Sequence, residues 1–195
     1  MPKAYSDTER EYIKARLKEE ASNCLAKYGV RHTTVDEIVQ RVNIPKGTFY
    51  LFYQSKELLL FDVIQEQQNQ ISRELYEELS AIAKKPSAEE LTNLVFQFYK
   101  KTESMLLLKI QDLGEAELLM RKLPQDIVKA QLNEDADMIE KMLALLPLKK
   151  KTNKGLMSAI FHAIYYATLH KSDIDEDVYD DALYLLIKGI VIQMM

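Results

Sequence analysis

"TTVDEIVQRVNIPKGTFYLFYQSKELLL" runs from Thr33 to Leu60, and its punctuation decides the fold. Val35, Ile38, Val39 and Val42 recur at helical spacing, which makes one buried side of a short helix. Thr34, with Glu37 three residues on, reads as a capping box at its start. Asn43 follows the last periodic residue and tolerates the left-handed conformation of a sharp turn. Pro45 suits the first position of a new helix, expected from Pro45 to Phe52. A short helix, a tight turn and a second short helix have the spacing of a helix-turn-helix. In that second helix Ile44, Phe49 and Tyr53 are expected to face inward, and Lys46, Gly47, Thr48, Tyr50 and Leu51 outward. Glycine inside a helix costs about 1 kcal/mol against alanine, and close approach to another surface would explain it at Gly47. Ser55 is the expected N-cap of the following helix, with Lys56 at its mouth.

The flanking sequence is helical on both sides. Ile13, Leu17, Ala21, Cys24, Leu25 and Tyr28 form one stripe of a helix from about Asp7 to Tyr28, with Ser6 and Glu9 as its capping box and Gly29 as its stop. A long helix follows Ser55 to about Ala83, with Leu58, Leu59, Phe61, Val63, Ile64 and Ile71 on its apolar side. The helical pattern then returns at 87–109, 115–122, 124–146, 153–170 and 175–194. With five glycines and five prolines in 195 residues, an all-α chain of about nine helices is expected. Cys24 is the one cysteine, so no internal disulfide can form. The start "MPKAYSDTEREY" has no apolar signal core, and no apolar run reaches the length of a membrane span, so a cytoplasmic protein with no membrane association is expected. Net charge is −4, yet residues 1–60 carry ten basic against eight acidic side chains and the remainder sixteen against twenty-two. A basic head on an acidic body is compatible with local binding to a polyanion.

Residues 33–60, with the Ala21 to Gly29 spacing before them, resemble the DNA-binding segment of TetR-family transcriptional regulators. The matched features are a Thr-rich start to helix two, a tight turn, the Lys-Gly-Thr-aromatic-Tyr run at 46–50 and the Ser-Lys-Glu start at 55–57. Asn43 stands where the family usually has glycine, Pro45 where Ser or Thr is frequent, and Tyr53 where Phe is usual. Leu51 and Phe52 occupy positions where hydrogen-bonding residues are common, and Leu51 cannot hydrogen-bond to a base. The resemblance implies a DNA-binding domain over residues 1–54 and a helical ligand-binding and dimerisation domain over 55–195.

Helix N-termini attract phosphates through free N–H groups and the helix dipole. Thr34 and Lys56 lie at two such mouths and are expected to contact the backbone of double-stranded DNA, with Tyr50 offering its hydroxyl to a third phosphate. Lys46 and Thr48 are the base-edge candidates, since lysine can donate to guanine and the threonine methyl can touch thymine. Gly47, Leu51 and Phe52 complete the expected DNA-binding set.

The family also implies a pocket for a small organic ligand, for which Phe96, Tyr99, Met105, Met120, Met138 and Phe161 are the candidates; adaptable methionine suits variable ligands. Ala159, Ala163 and Ala167 form a small-residue stripe, and Leu183, Leu186, Ile187, Ile190 and Met194 an apolar one beside Gly189. Together they predict a homodimer through a four-helix bundle. His162 and His170 do not share a helix face, and the acidic run from Asp173 lacks the glycine and final glutamate of a calcium loop. No metal site and no cofactor are expected. No nucleophile elbow, phosphate loop or dinucleotide fingerprint is present, so an enzyme is not expected. The expected function is a repressor released by its ligand from a near-palindromic operator. The alternatives are an activator, a partner-gated regulator, or, in another class, a helical small-molecule-binding protein or enzyme with an incidental helix-turn-helix.

Overall fold

The computed structural model describes residues 5–81, 86–103, 105–106, 110, 114–146, 149 and 153–195, and among them the chain is helical with no strand. The helices are α1 (Asp7–His32), α2 (Val35–Val42), α3 (Lys46–Phe49), α4 (Lys56–Ala81), α5 (Ala88–Thr102), α6 (Ala116–Lys122), α7 (Gln125–Leu145), α8 (Lys154–Leu169) and α9 (Glu176–Met194), with a 3-10 turn at Lys171–Asp173. Two compact units emerge: Met1–Gln67 with Met105–Pro124, and Gln68–Ser104 with Gln125–Met195.

Local chemistry sets the boundaries. Ser6 and Glu9 form a full capping box on α1, and Ser87 with Glu90 does the same for α5. Thr34 caps α2 through its hydroxyl, but Glu37 does not reach back to complete a box; it pairs with Arg41 instead. Ser55 Oγ accepts from the Leu58 amide at the start of α4. Asn43 takes the left-handed conformation at φ 59° and turns the chain into α3. Helix α5 ends at Thr102. The expected ends at Ala83 and 109, and Lys150 and Lys151 of the basic run, lie outside the described residues. Lys149 donates to the carbonyls of Gln193 and Met194.

In the first unit α1 packs on α2 and α6, and α2 packs on α3. Leu17, Ala21, Leu25, Ile38, Phe49, Leu59, Leu60 and Ile64 are almost wholly withdrawn from water. Cys24 is buried with them, and burial pushes its thiol up, as for a packing residue. In the second unit α5 and α9 pack along their lengths. Leu75 and Leu79 of α4, Leu91, Val95 and Tyr99 of α5, and Leu183, Ile187 and Val191 of α9 share one core with Ile164 of α8. Among the described residues, no helix is long and apolar enough to cross a membrane.

Candidate nucleic-acid interface

Helix α3 has only four residues and then tightens through a turn at 50–52. This shortness decides which side chains it presents. Phe49 is 0 % exposed and anchors α3 in the core. Its ring meets Tyr50 edge-on at 5.2 Å, and Tyr53 lies 6.2 Å away on another side. Tyr53 is buried, and its hydroxyl donates to Asp62 at 2.7 Å. Anchored this way, α3 leaves Lys46 and Gly47 in solvent, with Tyr50 51 % and Leu51 56 % exposed. A Cβ added at Gly47 would meet nothing within 4 Å. Packing inside the protein therefore does not require glycine there.

Four of the expected contact residues have partners within the protein. Thr48 does not face outward: it is 7 % exposed, and its hydroxyl pairs with that of Tyr5 at 3.2 Å. Phe52 is half-buried, with the Arg10 guanidinium 5.2 Å from its ring centre. Lys46 is exposed but engaged, 2.8 Å from Asp36 at the start of α2. Lys56 turns inward, and its ammonium donates to the carbonyls of Val30 at 2.7 Å and Thr33 at 2.6 Å. Burial holds that ammonium below the usual lysine range. Thr34 remains exposed at the mouth of α2.

Helix α1 kinks at Gly29, where φ is 72°, which frees the amides just after it, and ends at His32, which leaves carbonyls of its last turn free. These freed groups must find partners elsewhere. Thr33 returns its hydroxyl to the Gly29 carbonyl at 2.6 Å. The amides of Val30 and Arg31 donate to Glu115, which lies just before α6 and is 5 % exposed. Glu115 had no place in the sequence argument; an acidic residue before a short helix reads only as a cap.

The expected ligand-pocket residues divide between the units. Met105 is buried and Met120 exposed in the first; Phe96, Tyr99, Met138 and Phe161 belong to the second. Tyr99 is a core residue whose hydroxyl donates to the Phe161 carbonyl at 2.8 Å. The groove described in the second unit, about 240 Å³, is lined by other residues: Ile71, Leu75, Glu78, Leu94, Gln97, Phe98 and Lys101.

The expected dimer stripe on α9 divides, with Leu186 exposed and the others turned toward the chain's own cores. Leu183, Ile187 and Met194 are buried in the chain's own cores, and Ile190 packs against them. The outward large apolar side chains are Val178, Leu185, Leu186 and Ile192, with Gly189 also exposed. On α8, Ala159 and Ala163 are exposed as expected, beside Leu156 and Tyr166. Among the described residues no group of histidine, cysteine and carboxylate side chains could hold a metal ion.

Residues 18–63 match the family model of bacterial regulatory proteins, tetR family. The whole chain is similar in fold to a chain from Mesorhizobium loti placed among TetR-family transcriptional regulators, with 14 % identity, TM-score 0.67 and coverage of 96 % of this chain and 98 % of that one. It is similar also to Thermus thermophilus FadR, a TetR-family repressor solved with lauroyl-CoA, at 20 % identity, TM-score 0.63 and 93 % and 95 % coverage. A third similar structure is RolR with resorcinol, at 17 % identity, TM-score 0.57 and 95 % and 90 % coverage. No curated protein matches the sequence significantly. Residues 18–63 thus match the tetR-family model, and the chain has the TetR-type fold with an N-terminal helix-turn-helix domain.

Proposed function

We propose that this chain is a homodimeric, sequence-specific DNA-binding regulator, a repressor that leaves its operator when a small organic molecule binds. The observation that carries the reading is the outward side of α3. Lys46 and Gly47 of α3, and Tyr50 and Leu51 of the turn after it, are offered to solvent on a segment pinned by a fully buried Phe49. A lysine, an open glycine and an amphipathic aromatic are what a short helix needs to enter a major groove. Lys46 reads a base edge, while Thr34 and the Tyr50 hydroxyl take phosphates.

Dimerisation draws on Leu185, Leu186, Ile192 and Gly189 of α9 with Leu156, Ala159, Ala163 and Tyr166 of α8, all exposed in the single chain. Large apolar side chains gathered on exposed helices favour a partner surface. Ligand control is supported by the similar structures, which hold compounds as unlike as lauroyl-CoA and resorcinol. In a two-state scheme the ligand shifts DNA affinity only by its differential affinity for the two states.

The test is selection of bound duplexes from a random pool, then challenge of the complex with acyl-CoA esters and small phenols. An inducer binds DNA-free protein more tightly than the complex. Equal affinity of a compound for both forms would exclude induction through that compound. Failure to enrich any duplex would remove the reading altogether.

A further inference from the structure

We propose that Glu115, outside the helix-turn-helix and more than fifty residues beyond its end, is a positioning residue for DNA binding. The inference rests on the DNA-binding reading above. Its basis is the junction between α1 and α2, where backbone groups left without helical partners are held by two side chains of opposite charge. The carboxylate of Glu115 accepts from the amides of Val30 and Arg31, with the Arg31 guanidinium Nε 3.6 Å away. The ammonium of Lys56 takes the carbonyls of Val30 and Thr33 from another side. Val30 thus has its N–H on α6's leading residue and its C=O on α4's first residue.

Helix α2 begins at Val35, immediately after this junction, and α3 follows it through the fixed left-handed turn at Asn43. The direction in which α2 and α3 leave the core is therefore set where Glu115 and Lys56 grip the chain. A buried carboxylate is costly unless its acceptors are filled, and here two amides and a guanidinium fill them. The same anchorage makes Glu115 intolerant of displacement. If it moves by the length of a hydrogen bond, both amides are released together, and α2 loses its reference to α1.

The experiment uses the full chain and a duplex selected by the wild type. Glu115→Gln keeps size but puts an N–H donor where an acceptor is needed; Glu115→Asp keeps the charge on a shorter arm. Three readouts are taken: amide hydrogen exchange at Val30 and Arg31, the melting transition, and DNA affinity across salt concentrations. Glu115→Gln is expected to melt cooperatively, lose protection at those two amides, and bind the selected duplex about tenfold or more weakly. Its salt slope should match the wild type, because no phosphate contact has been removed. Glu115→Asp should recover part of the affinity. Affinity within about twofold of wild type in Glu115→Gln would overturn the proposal. So would loss of cooperative folding in both variants, which would make Glu115 a structural residue only, or a changed salt slope, which would make it an electrostatic one. A wild type that selects no duplex would instead sink the DNA-binding reading on which this rests.

Discussion

Lys46 and Asp36 are paired at 2.8 Å across the α2–α3 turn, so the leading cation of α3 is already held by an acid. The partners are half and mostly exposed, which makes the pair weak and easily exchanged. Asp36 also places a negative charge beside any approaching phosphate. Replacing it by alanine should therefore tighten binding to matched and mismatched duplexes by about the same factor and leave the ratio between them unchanged. Binding isotherms on both duplexes check this. Weaker binding by Asp36→Ala would mean that the carboxylate itself accepts from a base.

Lys46→Ala should cost about 1–3 kcal/mol on the preferred duplex and relax the preference at one or two base pairs in each half-site. Thr48→Val behaves differently, because Thr48 faces Tyr5. It should cost about 1 kcal/mol of stability, one neutral hydrogen bond, with base preference unchanged. Melting curves and isotherms on mismatched duplexes separate the two variants.

Gly47 offers a sharper contrast. Its added methyl would stand in open space, so Gly47→Ala should stabilise the free protein, by up to about 1 kcal/mol. The same methyl stands between α3 and the groove, so affinity should fall. A variant that melts higher and binds duplex as well as wild type would show that this face does not approach DNA closely.

Lys56→Met removes a donor that two carbonyls share. The expected loss is folding stability of about 1.5–3 kcal/mol, the range for hydrogen bonds to charged groups. The salt slope of DNA binding should not change, since the ammonium points into the protein. A slope reduced by about 1 would restore Lys56 as a phosphate contact.

On α9 two substitutions should part company. Ile187→Glu puts a charge at a site 1 % exposed and should prevent folding. Leu185→Glu with Ile192→Glu changes only exposed positions and should give a folded monomer that binds DNA poorly. Sedimentation at micromolar concentration, with circular dichroism beside it, distinguishes these outcomes. An unchanged dimer would place the interface elsewhere, and a wild-type monomer would remove the four-helix bundle from the account.

The helices and the anchor of α3 were legible because periodicity reports burial. Phe49 and Tyr53 stand on the inner side of a pattern that also places Val39 and Leu59. What periodicity does not report is the partner of a polar group. Lys56 reads as a surface cation, but the end of α1 at His32 leaves carbonyls that only the folded chain brings within its reach. Glu115 reaches the same segment from 85 residues away, a separation no local motif spans. Thr48 faces inward because Tyr5, just before α1, covers it, a contact no local pattern reports. On α9 the ambiguity was of another kind. Leu183, Ile187 and Val191 make one apolar series, and Leu185, Gly189 and Ile192 lie on another side. A helix apolar on several sides does not say which one belongs to its own core.

The most direct measurement is the stoichiometry and sequence preference of binding to duplexes selected from a random pool by the full chain. The account predicts a near-palindromic consensus with half-sites about one helical turn or slightly more apart, bound by two chains. Lys46→Ala should lose the preference at specific positions within each half-site. A pool that returns no consensus, or one that Lys46→Ala selects unchanged, would contradict the assignment of α3 as the element that reads DNA.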